Sequence, residues 1–222
     1  MQEKIHVCVF AKPPVAGEVK TRLQPFVSPA QAALLSEAFL RDTWKTVASL
    51  PWAMPVLAVT QPWDGNGLRP ENVWLQGNGD LGERIERILR RALREAASVL
   101  AIGSDSPGLP ARFYLDARRA LASRDAVLGP TEDGGFYLLG LKRCPPELLR
   151  NLPWSVDTTF EATKGRLESH GFTVHILEPW FDVDRPRDLR RLFYLANGGE
   201  ICVPQTANVF QRDAELSRKL VL

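Results

Sequence analysis

The sequence predicts an α/β fold in which a mostly parallel, mixed sheet lies between two layers of helices, a three-layer α/β/α sandwich. Short apolar runs alternate with segments of helical periodicity along the chain. The apolar runs are rich in Val, Ile, Leu and aromatic residues without strict polar alternation, as expected of strands that are buried on both faces. The helical segments are long enough to connect parallel strands by right-handed crossovers. One sandwich domain accounts for all three observations.

Seven apolar runs are predicted to form strands. The sixth follows the fifth without room for a helix, so we expect it to be an antiparallel member of a mixed sheet. The runs are Ile5–Ala11, Pro55–Thr60, Val73–Leu75, Val99–Gly103, Ala126–Leu128, Phe136–Leu141 and Thr173–Leu177.

The first two helices are marked by capping residues. The segment Ser28-Pro-Ala-Gln31 has a capping serine, a proline at the first helical position and a glutamine at the third. Apolar residues then follow at helical spacing as far as Val47. A second helix is predicted from about Leu81, and Asp80 before it is a good N-cap residue.

The remaining helices are predicted from similar signals. One starts near Pro110, and Thr158-Thr-Phe-Glu161 is a capping-box candidate for another that runs toward Ser169. A last helix follows Pro186 and ends before Gly198-Gly199. We expect residues 1–197 to form one domain. Residues 198–222, with an apolar piece and a charged helix, would be an appendage that packs on this domain or on a second subunit of a homodimer.

Composition excludes several classes of protein. The 222 residues carry a net charge of only +2, with both signs mixed, so the sequence gives no case for a nucleic-acid partner. No apolar run approaches the roughly 20 residues that span a bilayer. The three cysteines are far apart, which indicates neither a disulfide framework nor a zinc site. Because Met1–His6 lacks a signal-peptide pattern, we expect a cytoplasmic enzyme.

The loop after the first strand is the most informative feature. It contains two prolines and Gly17 and ends in Lys20 and Arg22. Ligands of open α/β sheets bind at the carboxyl ends of strands, and Lys and Arg are suited to phosphate groups. The loop therefore predicts a cradle for a nucleotide phosphate. The alternative is a surface loop with two solvated cations.

Two acidic segments predict a metal site. Asp105 directly follows the fourth apolar run, where a carboxylate could hold Mg²⁺ or Mn²⁺, although it could instead cap a turn. Asp182 and Asp184 both follow the last strand, and we expect only one of them to face the metal, namely Asp184, because it lies next to the start of the last helix. Asp188 lies in the first turn of a helix, which favours a structural role.

Two further segments carry candidate ligand-binding residues. Glu132 and Asp133 precede Gly134-Gly135 and could position an acceptor or act as a base, although Asp-Gly-Gly is also typical of a hairpin turn. The loop from Gln76 to Asp80 could meet a base or phosphate at a helix N-terminus, although a plain cap would also explain Asp80. Trp154 precedes a polar loop, Ser155–Thr159, that could close over an acceptor.

Together these segments resemble the DUF2064 family, glycosyltransferase-like proteins with the nucleotide-diphospho-sugar transferase (GT-A) fold. The resemblance spans residues 5–195. The matching pieces are Phe10-Ala-Lys-Pro-Pro with Gly17 and Lys20-Thr-Arg-Leu23, Gln76 with Gly79-Asp-Leu-Gly-Glu-Arg84, Gly103-Ser-Asp-Ser-Pro107, Asp133-Gly-Gly-Phe-Tyr137 and Asp182-Val-Asp-Arg-Pro186.

The resemblance implies a nucleotide over the first half of the sheet, an acceptor over the second half and a divalent metal near Asp105. Where better-known glycosyltransferases of this fold have Asp-x-Asp, this chain has one acid, so Asp184 is expected as the distant second metal ligand. Expected nucleotide or phosphate contacts are Ala11, Lys12, Gly17, Lys20, Arg22, Gln76, Asp80 and Ser104. Expected acceptor contacts are Gly134, Gly135, Trp154, Asp157 and Thr158, and expected catalytic residues are Asp105, Glu132 and Asp133.

Three functions fit these expectations. The first is a metal-dependent transferase whose donor is a nucleotide-diphospho-sugar and whose acceptor is a small molecule. The second is a nucleotidyltransferase that couples a nucleoside triphosphate to a phosphorylated acceptor and releases pyrophosphate. The third is a nucleotide-binding protein without catalysis.

Overall fold

The computed structural model describes residues 4–24, 26–63, 65, 68 and 70–221. Residues 1–3 are part of the expected domain and of the segment that lacks a signal-peptide pattern, and residue 222 is part of the expected appendage. All four lie outside the described residues. The structure confirms the predicted α/β class, with a seven-stranded, mostly parallel sheet between helices. No helix within the described ranges is both long and apolar enough to cross a membrane.

The sheet has the strand order β3-β2-β1-β4-β6-β5-β7. All neighbours are parallel except β6, which pairs antiparallel with both β4 and β5, as the lack of room for a helix predicted. All seven predicted strands are present, with bounds that differ from prediction by at most two residues. The strands are β1 Ile5–Ala11, β2 Ala53–Val59, β3 Val73–Leu75, β4 Val99–Gly103, β5 Ala126–Pro130, β6 Phe136–Leu141 and β7 Val174–Ile176.

Seven α-helices complete the described chain. They are α1 Pro29–Ala48, α2 Leu81–Ala92, α3 Ala111–Ser123, α4 Thr159–Ser169, α5 Pro186–Asn197, α6 Pro204–Arg212 and α7 Ala214–Val221. Helices α1 and α3 cover one face of the sheet, and α2 and α4 cover the other. Side chains of β1 alternate between the two faces of the sheet, since Val7 and Val9 pack toward α1 and α3 while Cys8 packs toward α2.

Two of the three predicted caps are confirmed. Ser28 and Asp80 each form a capping box at the start of α1 and α2. The Thr158 cap is wrong, because its backbone (φ −98°, ψ 1°) is not extended as an N-cap residue requires. The hydroxyl of the next residue, Thr159, instead donates within the preceding turn to the carbonyl oxygens of Pro153 and Val156.

The C-terminal segment forms two helices, α6 and α7, where the sequence predicted one helix after an apolar piece. Both helices share a third hydrophobic cluster with the outer side of α1 and with α5, which includes Phe39, Leu192, Phe210 and Leu216. The segment therefore packs on the domain. Its assignment as a separate appendage stays a prediction.

Asp42 on α1 fixes the start of α6. Its side chain is 2% exposed and accepts hydrogen bonds from the backbone N–H groups of Gln205 and Thr206, both at 2.9 Å, and from the Thr206 hydroxyl at 2.7 Å. Burial raises the pKa of Asp42, while these hydrogen bonds oppose that rise. A side chain distant in sequence thus does for α6 what an N-cap residue does locally.

We predict that Asp42→Asn lowers the free energy of unfolding by about 2 kcal/mol, because one acceptor oxygen becomes an NH2 donor that must face the backbone N–H of either Gln205 or Thr206. Urea unfolding measures the change. The matched control is Asp116→Asn on α3, whose half-exposed carboxylate pairs with a neighbouring arginine on the same helix and should matter by less than about 0.5 kcal/mol. Equal stability of the two variants would contradict the role given to Asp42.

Candidate functional site

A cleft of about 1220 Å³ lies at the carboxyl ends of the central strands. Strands β1 and β4 are parallel neighbours, and Phe10 stands beside Gly103 in their register. The loop after β1 and the loop after β4 therefore leave the sheet side by side and form the middle of the cleft wall. This is the edge of an open α/β sheet where ligands bind.

The Lys20 ammonium lies at the centre of this wall and contacts three oxygen atoms. It is 2.6 Å from Oδ1 of Asp105, 3.0 Å from Oδ1 of Asp184 and 2.8 Å from the carbonyl oxygen of Val183. An ammonium has three N–H donors, so all of them are used. Arg22 lies at the rim, 3.5 Å from Oδ2 of Asp184. We call Lys20, Asp105 and Asp184 the central cluster.

The backbone holds the central cluster in place. Lys20 has left-handed dihedral angles (φ 47°, ψ 38°), which a residue with a side chain adopts only at a cost. The Val183 N–H donates to the Asp105 carbonyl oxygen at 2.8 Å, so the segment before α5 is attached to the loop after β4. The Lys20 side chain is 5% exposed, whereas those of Asp105 and Asp184 are 51% and 32% exposed.

Electrostatics of the cleft wall follow from this packing. Burial acts to lower the pKa of Lys20, but the charges of Asp105 and Asp184 outweigh burial and hold that pKa above its ordinary value. Lys20 is therefore a permanent cation. Burial, with the nearby charge of Asp105, raises the pKa of Asp182 to about 7, although a hydrogen bond from the Ser106 hydroxyl opposes the rise.

Both Asp182 and Asp184 line the cleft, and which of them would face a metal stays a prediction. Residues two apart along an extended segment lie on the same side of it, and Phe181 and Val183 are the buried pair here. Asp188 has the structural role predicted, because its carboxylate accepts from the Arg185 N–H at 2.8 Å at the start of α5.

The side of the cleft near β2 and β3 is held by hydrogen bonds to backbone carbonyl oxygens. Gln76 is 3% exposed, and its amide donates to the Ala58 carbonyl oxygen at 2.8 Å and to that of Ala11 at 3.4 Å, so it links β2 to the end of β1. Arg87 donates to the carbonyl oxygens of Gln76 and Asn78. The Asp80 carboxylate caps α2, which confirms the alternative that Asp80 is an N-cap residue.

The opposite side of the cleft is built on the turn between β5 and β6. The Glu132 carboxylate accepts from Arg191 of α5 at 2.7 Å. The Asp133 carboxylate accepts from the Thr131 hydroxyl at 2.6 Å and from the Gly135 N–H at 3.3 Å. Asp133 thus stabilises the hairpin turn that the sequence offered as the alternative, and neither acid is an unpaired base in this arrangement.

Most of the expected ligand-binding residues line one cleft. Gly17, Asp80, Gly134 and Thr158 do not line it. The expected residues that do are Ala11, Lys12, Lys20, Arg22, Gln76, Ser104, Asp105, Glu132, Asp133, Gly135, Trp154, Asp157 and Asp184. Their roles stay predictions.

Sequence reasoning gave no role to Arg191, which reaches the cleft from α5, nor to Ser106, which donates to Asp182. Arg84 also lines the cleft. Only the tertiary fold reveals these positions, because Arg191 is 59 residues from its partner Glu132 and Ser106 is 76 residues from Asp182.

The central cluster suits a hard cation by the chemistry of its donors. Two carboxylate oxygens, Oδ1 of Asp105 and Oδ1 of Asp184, converge on one positively charged atom, and carboxylate oxygen is what Mg²⁺ and Mn²⁺ prefer. Within the part of the chain that the structure describes, no set of three or more His, Cys, Asp or Glu side chains is arranged to hold a metal ion by itself. A metal there would need further ligands from substrate or water.

The chain belongs to the DUF2064 family, described as "Uncharacterized protein conserved in bacteria", whose pattern matches residues 45–156. No curated protein matches the sequence.

Three solved structures show what the fold is similar to. One, from Desulfovibrio desulfuricans G20 and provisionally named a nucleotide-diphospho-sugar transferase, is 27% identical, with a TM-score of 0.86 over 98% of both chains. CMP:2-keto-3-deoxy-manno-octonic acid synthetase, solved with CTP, is 12% identical, with a TM-score of 0.59 over 88% of this chain and 99% of the other. Rv0371c from Mycobacterium tuberculosis H37Rv, solved with manganese, is 17% identical, with a TM-score of 0.51 over 87% of this chain and all of the other.

We predict that Gly134→Ala destabilises the protein by about 2 kcal/mol or more. Gly134 has φ +89°, and an added Cβ would overlap the carbonyl oxygen of Asp157, so the loop that carries Trp154 and Asp157 must shift. The control is Gly165→Ala in α4, where no atom lies within 4 Å of the added Cβ and alanine should stabilise the helix by about 0.5–1 kcal/mol. Denaturant unfolding of both variants measures their stability. Wild-type stability of Gly134→Ala would contradict the close packing of Gly134 against Asp157.

Proposed function

We propose that the protein is a metal-dependent transferase whose donor is a nucleotide-activated group, namely a nucleotide-diphospho-sugar. The observation that carries this proposal is the convergence of Lys20, Asp105 and Asp184, with Arg22 beside them, at the carboxyl ends of β1 and β4. Cations and carboxylates within a few ångströms of one another, in an open cleft, suit a diphosphate together with its metal ion.

The similarity to other structures supports a nucleotide-using transferase. The Desulfovibrio protein, provisionally named a nucleotide-diphospho-sugar transferase, matches this chain over nearly its whole length. More distant structures of the same fold include a synthetase that was solved with CTP and a protein that was solved with manganese. In this chain, the same ligands would be accommodated between the loop after β1 and the segment before α5.

Each residue of the cleft has a distinct task in the proposed reaction. Asp105 and Asp184 would hold the metal, which when bound would offset negative charge on the departing nucleotide diphosphate. Arg22, whose side chain is 55% exposed, would bind the phosphates from the rim, and Gln76 would keep the loop after β1 in place. These tasks are positioning and electrostatic stabilisation, which account for much of the catalysis of group transfer.

The acceptor would bind beside the turn between β5 and β6. Trp154 and Asp157 line this part of the cleft, and the Trp154 ring packs on Phe136 with centroids 6.0 Å apart. Glu132 is the proposed base for the acceptor hydroxyl, and Arg191 would set its orientation. For Asp133 we propose support of the turn in place of proton transfer, because the Thr131 hydroxyl and the Gly135 N–H both donate to its Oδ1.

A nucleotidyltransferase is the second candidate, favoured by the similarity of the fold to a synthetase that was solved with CTP. The same cations and metal would serve, but pyrophosphate would leave from a nucleoside triphosphate. Pyrophosphate release over a panel of triphosphates and phosphorylated acceptors separates the two reactions. Release with any triphosphate favours this candidate, and turnover of nucleotide-sugars alone favours the first.

We predict that Asp105→Asn weakens Mn²⁺-dependent binding of nucleotide-sugars at least tenfold, because the neutral amide is a poor metal ligand. The fold should persist, since the Asp105 side chain is half exposed. Titration calorimetry against a panel of nucleotide-sugars, with and without Mn²⁺, measures the affinity, and circular dichroism checks the fold.

The control for this experiment is Asp116→Asn on α3, which should bind like the wild type because its side chain pairs with Arg119 at the surface and does not line the cleft that the described residues form. Unchanged metal-dependent affinity in Asp105→Asn would remove Asp105 from the metal site. Binding without turnover of any nucleotide-sugar or triphosphate would leave the protein a nucleotide-binding protein without catalysis.

A further inference from the structure

Lys20 is expected to bind phosphate, yet its position conflicts with that role. All three of its N–H donors already have acceptors, and two of these are the carboxylates expected to bind the metal. No donor is left for a phosphate oxygen while this arrangement lasts. The ammonium also occupies one oxygen atom, Oδ1, of each of these carboxylates.

Two cations cannot share these oxygen atoms at close range. Oδ1 of Asp105 and Oδ1 of Asp184 lie 2.6 Å and 3.0 Å from the Lys20 nitrogen, and metal–oxygen bonds to Mg²⁺ are only about 2.0–2.1 Å long. A metal that bound both oxygens would stand within a few ångströms of the ammonium, where repulsion between like charges is large in a partly buried site. Metal entry at these two Oδ1 atoms therefore requires the ammonium to move.

A displaced ammonium needs a new acceptor. Its side chain is 5% exposed, so water alone does not replace the lost carboxylates without movement of the chain. A phosphate that enters the cleft beside Asp105 would provide acceptor oxygens of the right charge within reach of a flexible lysine side chain. A phosphate-bearing ligand could therefore accept the hydrogen bonds of the ammonium while the metal binds the carboxylates.

We propose that Lys20 is a tethered cation that blocks the metal position between Asp105 and Asp184 in the free protein and gives it up when a phosphate-bearing ligand binds. The proposal rests on the function proposed above, and it adds the order of events at the same site. Metal and nucleotide then bind with positive coupling, and by linkage each increases the affinity of the other by the same factor. The free protein does not retain Mn²⁺.

The test measures Mn²⁺ binding without any nucleotide, from the loss of the free Mn²⁺ signal in electron paramagnetic resonance. Lys20→Gln removes the charge but keeps a donor of similar length, and it should bind Mn²⁺ at least tenfold more tightly than the wild type. Lys142→Gln, at an exposed position after β6, removes the same charge far from the cleft and should bind like the wild type. Adding Asp105→Asn to Lys20→Gln should abolish the gain.

Two further measurements keep the test decisive. Thermal unfolding of Lys20→Gln shows whether it folds. Should it not fold, Lys20→Met takes its place, because it also removes the charge and keeps an apolar stem, and it should bind Mn²⁺ at least tenfold more tightly than the wild type. Folded Lys20→Gln that binds Mn²⁺ no better than the wild type would overturn the proposal, as would independent binding of metal and nucleotide to the wild type.

These outcomes are separable from those of the proposed function. If no nucleotide binds, the transferase proposal fails, but the comparison of Lys20→Gln with wild type in Mn²⁺ alone still decides whether Lys20 blocks the metal. If folded Lys20→Gln binds Mn²⁺ no better than the wild type while Mn²⁺ still tightens the binding of nucleotide-sugars, the transferase proposal stands and the blocking role of Lys20 falls.

Discussion

The three bonds of the Lys20 ammonium are the interaction on which the rest of the candidate site depends. They join the loop after β1, the loop after β4 and the segment before α5, segments that are up to 164 residues apart in sequence. Because the Val183 N–H also donates to the Asp105 carbonyl oxygen, these segments form one closed unit. The position of every acid in the middle of the cleft follows from that unit.

The two sides of the cleft are built by different means. The side near β2 and β3 is held by backbone interactions, in which Gln76 and Arg87 bond to carbonyl oxygens. The side near β5 and β6 is held by acidic side chains, since Asp133 supports a turn and Glu132 pairs with Arg191. Substitutions could change the side that is built from side chains without disturbing the sheet, whereas the other side depends on the position of the backbone.

The sequence predicted those features of the fold that depend on residues close together in the chain. Strands, the antiparallel β6 and the caps at Ser28 and Asp80 depend on residues within a few positions of one another, and the structure has them. The Thr158 cap failed because the preceding turn left that residue in a backbone conformation unsuited to capping. The Lys20–Asp184 pair and the Asp42 cap of α6 join residues more than 160 positions apart, and no periodicity in the sequence connects them.

Stability alone does not explain the central cluster. Placing an ammonium in a partly dry site between two carboxylates returns little net free energy, because the desolvation of the charges offsets their attraction. The left-handed backbone at Lys20 adds a further cost of order 1 kcal/mol. A neutral side chain with ordinary dihedral angles would avoid both costs if only the fold mattered. The arrangement is instead what a site needs when its cation must be present before a ligand arrives and must leave its carboxylates once the ligand has bound.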